Sequence, residues 1–392
     1  MAPQQASSAS QAPLLSPAEL SYLYTSLALP GGPIRPDGRA PAQFRPLIAE
    51  TGIVPGANGS ARIGFADGSE AIVGVKAEVE KTVLTTGTLD LRQLQQQDQE
   101  DFAEGDEDGE GKEGSASRAG QGSWVQMSIE IPGFRDDDAL PVFLSEMMRE
   151  SLVGSSGRKG RDDDGDDVME GGLKGRLVIN KRWHWRLYID ILLLSPPTSY
   201  PLPLLSLTTH LALLSTKLPK LKSHGEEDPF FEDDWDLAEY LYPRARPGTN
   251  ASLQQVRPPI TLLVISAGDN VIFDPTREEI AVAEAVLAIS VAREYETEGL
   301  KLLSIRTIDP PSRLTQPGVP DSENVATLGS TAAAEEAQIL NPSTSQEDVS
   351  GVWRPRRGGV KRSAVARMVK MVLEKGGVGD EVMEGLEGVE VH

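Results

Sequence analysis

An α+β protein is predicted by three features of this sequence. Strand-type runs come in pairs joined by tight-turn dipeptides, leucines at helical spacing follow an alternating strand, and charged or Pro/Ser-rich stretches separate the periodic blocks.

The elements follow in order. After a low-complexity head, MAPQQASSASQAP, Ser16 caps a short helix with Pro17 at its first position and Glu19 at the positive end of the dipole, and Gly31-Gly32 closes the segment. SARIGFA and SEAIVGVKAEV flank Asp67-Gly68, whose ready access to positive φ predicts a hairpin. WVQMSIEI reads as a further strand, and LPVFLSEMMRESL as a helix with Phe143, Met147 and Leu152 on its apolar side. In WHWRLYIDILLLS, Trp185, Leu187, Ile189 and Ile191 share one strand face, and Arg186, Tyr188, Asp190 and Leu192 the other. Leu204, Leu207, Leu211, Leu214 and Leu218 then recur at helical intervals. PITLLVISAG and VIFD form a second hairpin about Asp269-Asn270, and Thr276 with Glu279 has capping-box spacing before a predicted helix REEIAVAEAVLAISVARE. The strand KLLSIRTI and a final helix KRSAVARMVKMVLEK, with Val365, Met368, Val369 and Val372 inward and Gly376 at its end, complete the order.

This reading divides the chain into a disordered head (1–13), a folded unit (14–308), a disordered insertion (310–350), a helix that completes the fold (352–375) and a tail (376–392). The unit has a first half from about 34 to 219, carrying polar insertions at 98–122 and 155–172, and a second half from about 258 to 308.

Of 392 residues none is cysteine, which rules out thiol catalysis, disulfide frameworks and iron-sulfur clusters and points to a reducing, intracellular compartment. The first 34 residues hold no Lys or Arg, so no cleaved leader is expected. The longest apolar runs are broken well short of the roughly 20 residues that span a bilayer, so no membrane partner is expected. The net charge of −21 argues against a polyanionic ligand until its distribution is read. Residues 98–113 contribute −8, 161–170 contribute −5 and 226–239 contribute −8, so the remainder is neutral and RNA stays admissible.

Conventional catalytic signatures are missing. His184, His210, His224 and His392 have no metal-ligand spacing, and neither a phosphate-binding GxxxxGK[ST] loop nor a dinucleotide fingerprint occurs; no metal and no cofactor is expected. The dense stretch is 34 to 79. It holds Arg35-Pro36-Asp37-Gly38-Arg39, Phe44-Arg45-Pro46, Glu50-Thr51-Gly52, Gly59-Ser60-Ala61-Arg62 and Gly74-Val75-Lys76-Ala77-Glu78-Val79. These elements, in this order, resemble the opening of the RNase PH family, and the likeness resumes at 181–219, at 258–308 and in the final helix.

The resemblance implies an RNase PH-like fold of the ribosomal protein S5 domain 2-like kind, with hairpin-rich mixed sheets backed by helices. It also implies a place in the ring of the RNA exosome. The partners would be paralogous RNase PH-like subunits, cap subunits, associated catalytic nucleases and single-stranded RNA, with no DNA. The expected setting is the nucleus and nucleolus, and also the cytoplasm, in ribosomal RNA processing and mRNA decay. Active members of the family carry metal-holding acids on the strand that here reads YIDILLLSPP, and phosphate-binding bases on the helix that here reads FLSEMMRESL. Of the acids only Asp190 remains; Ser195 stands at the second position, and Arg149 is the lone base. The expectation is a noncatalytic ring subunit with Asp190 and Ser195 as vestiges. The rival is a phosphate-dependent 3′-to-5′ exoribonuclease contributing to a site shared with a paralogue. For RNA contact the candidates are Lys181, Arg182 and Arg186 beside Trp183 and Trp185, then Arg62 and Arg149; the alternative for Arg186 is an ion pair with Asp190.

Overall fold

The computed structural model describes residues 15–82, 120–154, 172–223, 225, 227–243, 257–293, 299–308 and 360–391. The head, nearly all of the two acidic insertions and the 310–350 insertion fall outside the described residues.

Helix α1 (Pro17–Leu27) starts with a complete capping box. The Glu19 amide donates to Ser16 Oγ at 3.3 Å, and the Ser16 amide donates to the Glu19 carboxylate at 2.7 Å. Strands β1 (Leu47–Thr51), β2 (Gly59–Phe65), β3 (Glu70–Lys81), β4 (Val125–Glu130) and β5 (Trp183–Leu193) form one sheet in the order β1-β2-β3-β5-β4. All its pairs are antiparallel except β4 with β5. The β2–β3 turn at Asp67-Gly68 places Gly68 at φ +84°, as its sequence requires. Helix α2 (Ala139–Gly154) packs on β4 through Leu144, Met147, Met148 and Leu152; Phe143, expected inward, is 43% exposed because it stands one position off that face. A single turn, α3 (Gly172–Arg176), precedes β5.

Helix α4 (Leu202–Ser215) is buried on every side. One side packs on β2 and β3, the other on the second sheet, so a helix apolar all round is what the position demands. The short strands β6 (Lys217–Leu218) and β7 (Glu239–Tyr240) follow it. The second sheet consists of β8 (Ile260–Ala267), β9 (Asn270–Phe273), β10 (Ala285–Arg293) and β11 (Leu300–Ile308), antiparallel throughout in the order β11-β10-β8-β9. Between β9 and β10 lies α5 (Arg277–Val282), with its Thr276/Glu279 capping box in place.

Two expectations are corrected. The helix predicted over REEIAVAEAVLAISVARE ends at Val282, and the rest is β10, fully buried apart from Arg293. A strand between two buried layers shows no alternation, so β10, with three alanines and preceded by glutamates, reads as helical. The segment 376–392, read as a tail, contains α7 (Val378–Glu387), which follows α6 (Arg362–Leu373) after Gly376 at φ +70° and buries Val378, Met383 and Leu386. Ion pairs fasten this end of the chain: Arg257 to Glu387 at 3.1 Å, and Arg293 to Asp380 at 3.3 Å.

Candidate nucleic-acid interface

Three arginines of the opening motifs, Arg35, Arg39 and Arg45, do not face solvent. Arg35 is buried and makes a bidentate pair with Glu279, Nε–Oε1 2.7 Å and Nη2–Oε2 2.8 Å, and it also donates to the carbonyls of Phe273 and Asp274. Arg45 grips both oxygens of the buried Asp274, at 2.6 and 2.9 Å, and reaches Asp67 at 2.5 Å and Ser199 at 2.7 Å. Arg39 adds a third contact to Asp274 at 2.8 Å and pairs with Asp37 at 2.6 Å. For Asp37, burial pushes the carboxyl up, but the bonds and charges of Arg39 and Arg35 outweigh it and hold it below its usual range. For Asp67, burial is likewise outweighed, here by the Ser69 amide and by Arg45. Arg35, Arg39 and Arg45 therefore form a largely buried network between the opening segment and the β9–α5 junction. Sequence reasoning missed Asp274 and Glu279, and the nearest signal was the Asp-Pro-Thr turn ahead of the capping box.

Asp190 and Ser195, the positions expected to be vestiges, both make hydrogen bonds within the fold. Asp190 lies on the solvent face of β5, opposite Ser128 of β4, whose hydroxyl donates to Oδ1 at 2.6 Å. Ser195 Oγ accepts the amide of Glu70 at 3.1 Å, just beyond the point where the Leu194 amide donates to the Glu70 carbonyl. Arg149, on α2, is held by Glu146 at 2.5 Å and by the Gly122 carbonyl at 3.0 Å. Its guanidinium is raised above its ordinary value, chiefly by the bond to Glu146. Among the described residues no group of three or more His, Asp or Glu side chains is placed to hold a metal ion.

Most of the RNA-contact candidates are likewise paired. Arg186 meets Glu80 on the neighbouring strand at 3.0 Å and stands over the Tyr188 ring at 5.5 Å, so its partner is Glu80 and not Asp190. That bond, above all, raises its guanidinium. Arg62 pairs with Glu70 at 2.8 Å and, more loosely, with Glu50 at 3.8 Å. Arg182 stands 3.8 Å from Asp228, which also accepts the Trp183 indole N–H at 3.1 Å. Lys181 is exposed on the same turn. Trp185 is buried against Phe231, ring centroids 5.0 Å apart, and offers no face to a base. Through the β2–β3–β5 register Arg62 lies level with Leu192, six positions and roughly 20 Å of strand from Arg186. The candidates are thus dispersed and largely neutralised, and they do not make one patch.

Two curated relatives match the chain over most of its length. Exosome complex component RRP42 of Saccharomyces cerevisiae is 29% identical over 296 residues, 74% of this chain and 86% of the relative. Exosome complex component rrp42 of Schizosaccharomyces pombe is 30% identical over 288 residues, 71% of this chain and 78% of the relative. This chain belongs to the RRP42 family. The RRP42 likeness covers 71–74% of this chain, which leaves room for the polar insertions as additions. No protein-family model matches the chain. Among solved structures, an Archaeoglobus fulgidus exosome with RNA bound to the active site aligns at TM-score 0.45 and 18% identity, covering 79% of this chain and 91% of that one. An archaeal exosome core aligns at 0.42 and 16%, covering 79% and 90%.

Proposed function

We propose that this protein is a noncatalytic ring subunit of the RNA exosome, supporting assembly and RNA threading for 3′-to-5′ processing and decay, ribosomal RNA maturation included. The observation that carries the noncatalytic part is the fate of the phosphorolytic positions. Asp190 keeps one hydroxyl partner, Ser195 is tied to a backbone amide and Arg149 is matched by Glu146. A phosphate awaiting attack on RNA needs several converging donors whose charge is still available, and these positions offer none. Membership in the RRP42 family, over 78% and 86% of the two relatives, supports the ring assignment. The partners on this reading are paralogous RNase PH-like subunits, cap subunits, nucleases bound to the assembly and single-stranded RNA, in the nucleus, nucleolus and cytoplasm.

Purification of the native complex through a tag on this chain, with mass identification of what accompanies it, tests the assignment. The expected result is a set of RNase PH-like paralogues in equal amounts with a nuclease. Recovery of the chain alone, or with unrelated proteins only, contradicts it.

A further inference from the structure

Helix α6 carries a group of described cations that stand without a carboxylate. In a chain of net charge −21, residues 349–373 contain seven bases and no acid. Four of those bases, Lys361, Arg362, Arg367 and Lys370, lie at the start of α6 or along it. Lys361, Arg362 and Lys370 are exposed, and among the described residues none of them has an acidic partner. Arg367 reaches only Asp269, 3.7 Å away and itself fully exposed, a pair of little strength. Arg362 and Lys370 lie two helical steps apart on one ridge, and Lys361 to Lys370 covers about 13 Å of helix. The opposite side buries Met368 and Val372 against the second sheet and α7, so the helix is fixed with its charge outward.

Stability does not account for this arrangement. Cations at a helix N-terminus oppose the macrodipole, and this first turn has neither an acid nor a side-chain cap. Lys361, Arg362 and Arg367 have no glutamate three or four residues away; of the four bases, Lys370, in the last turn with Glu374 four residues on, alone suits the helix's own charges. We propose that the outer face of α6 binds the phosphate backbone of single-stranded RNA. The nature of the ligand rests on the ring-subunit reading; the location does not. A membrane surface is disfavoured because the apolar side that would enter it is already buried. Recognition rests on charge, with no aromatic ring on the helix to stack a base, so binding is independent of sequence and steeply dependent on salt.

The test compares full-length protein with the triple variant Lys361→Glu, Arg362→Glu, Lys370→Glu, measuring affinity for a labelled single-stranded RNA across a salt series. Acids at the N-terminus suit the dipole, so the variant is expected to fold, and a thermal melt checks this. Lys76→Glu, on the other sheet, serves as the charge control. The expected result is at least about tenfold weaker binding at low salt, with a slope of log affinity against log salt shallower by about two units, while Lys76→Glu changes neither. Unchanged affinity and slope in the folded triple variant overturn the proposal. So does an unmoved RNA affinity with selective loss of polyglutamate binding, which would assign the face to an acidic protein. Tagged purification of the same variant keeps the two readings apart: a variant that joins the ring but binds RNA as wild type defeats only the helix proposal, whereas a wild type that joins no ring defeats only the subunit reading.

Discussion

At Asp274 the chain sets a non-glycine residue at φ +45° and surrounds its carboxylate with the guanidinium groups of Arg39 and Arg45. Asparagine tolerates that backbone nearly as well as aspartate, so Asp274→Asn removes the charge while leaving the turn geometry available. The expected loss is about 3 kcal/mol in chemical denaturation, because the arginines stay buried without the one counterion they share, keeping only Asp37 and Asp67 at the edge of the network. Asp190→Asn, at an exposed position with one hydroxyl partner, should cost about 1 kcal/mol or less. Equal effects at the two sites would contradict the assignment of the network. His210 gives a second expectation at this scale. It is fully buried, its Nδ1 is 2.8 Å from the Pro258 carbonyl, and burial lowers it from 6.5 to about 4. A base whose folded value is depressed binds its proton more readily in the unfolded chain, so its contribution is whole above about pH 6.5 and drains as pH falls towards 4. Stability should fall by up to about 1.4 kcal/mol per pH unit across that window, and His210→Gln should flatten the slope. Asp37 and Asp67, lowered from 3.8, act only at more acid pH. An unaltered slope in the variant would assign the acid sensitivity to other groups. The arginines were legible in the sequence as a motif. Their partners were not, because Asp274 and Glu279 lie some 230 to 245 residues away and nothing local ties the segments together.

Elements of the first sheet were readable because one of its faces meets solvent, so β3, β4 and β5 alternate between apolar and polar residues. The second sheet is covered on the strands that matter, so β8 and β10 show almost no alternation and the sequence of β10 predicts a helix. The two glycine-bearing motifs also separate at this scale. A Cβ on Gly59 would stand 2.5 Å from the Thr216 Cα, where β2 meets the end of α4, whereas one on Gly74 would meet nothing within 4 Å. Gly59→Ala should cost about 1–3 kcal/mol by forcing strand and helix apart, and Gly74→Ala should be close to neutral or slightly stabilising. Thermal unfolding of the two variants side by side checks this, and comparable losses would refute the packing argument.

Among the described residues the two larger sheets hold one buried helix between them, and the opening segment belongs to both: β1 joins the first sheet while α1 and Arg35 are fastened to the second. Tyr24 of α1 donates to Glu284 at 2.6 Å, and Asn270 donates to the carbonyls of Leu27 and Leu29. This construction makes Arg35, Arg39 and Arg45 parts of a frame, while Asp190, Ser195 and Arg149 have their side chains engaged within the fold. The family was therefore legible in the sequence, since the motifs that carry Arg35, Arg39 and Arg45 also hold the fold together. The measurement that bears most directly on this account is release of nucleoside diphosphates from labelled single-stranded RNA, with phosphate and magnesium, by the reconstituted ring carrying either wild-type chain or Asp190→Asn. Equal rates are predicted, with the isolated chain releasing none. Release that disappears with Asp190→Asn, from a ring that still assembles, would show that this subunit supplies part of an active site and would contradict the noncatalytic reading.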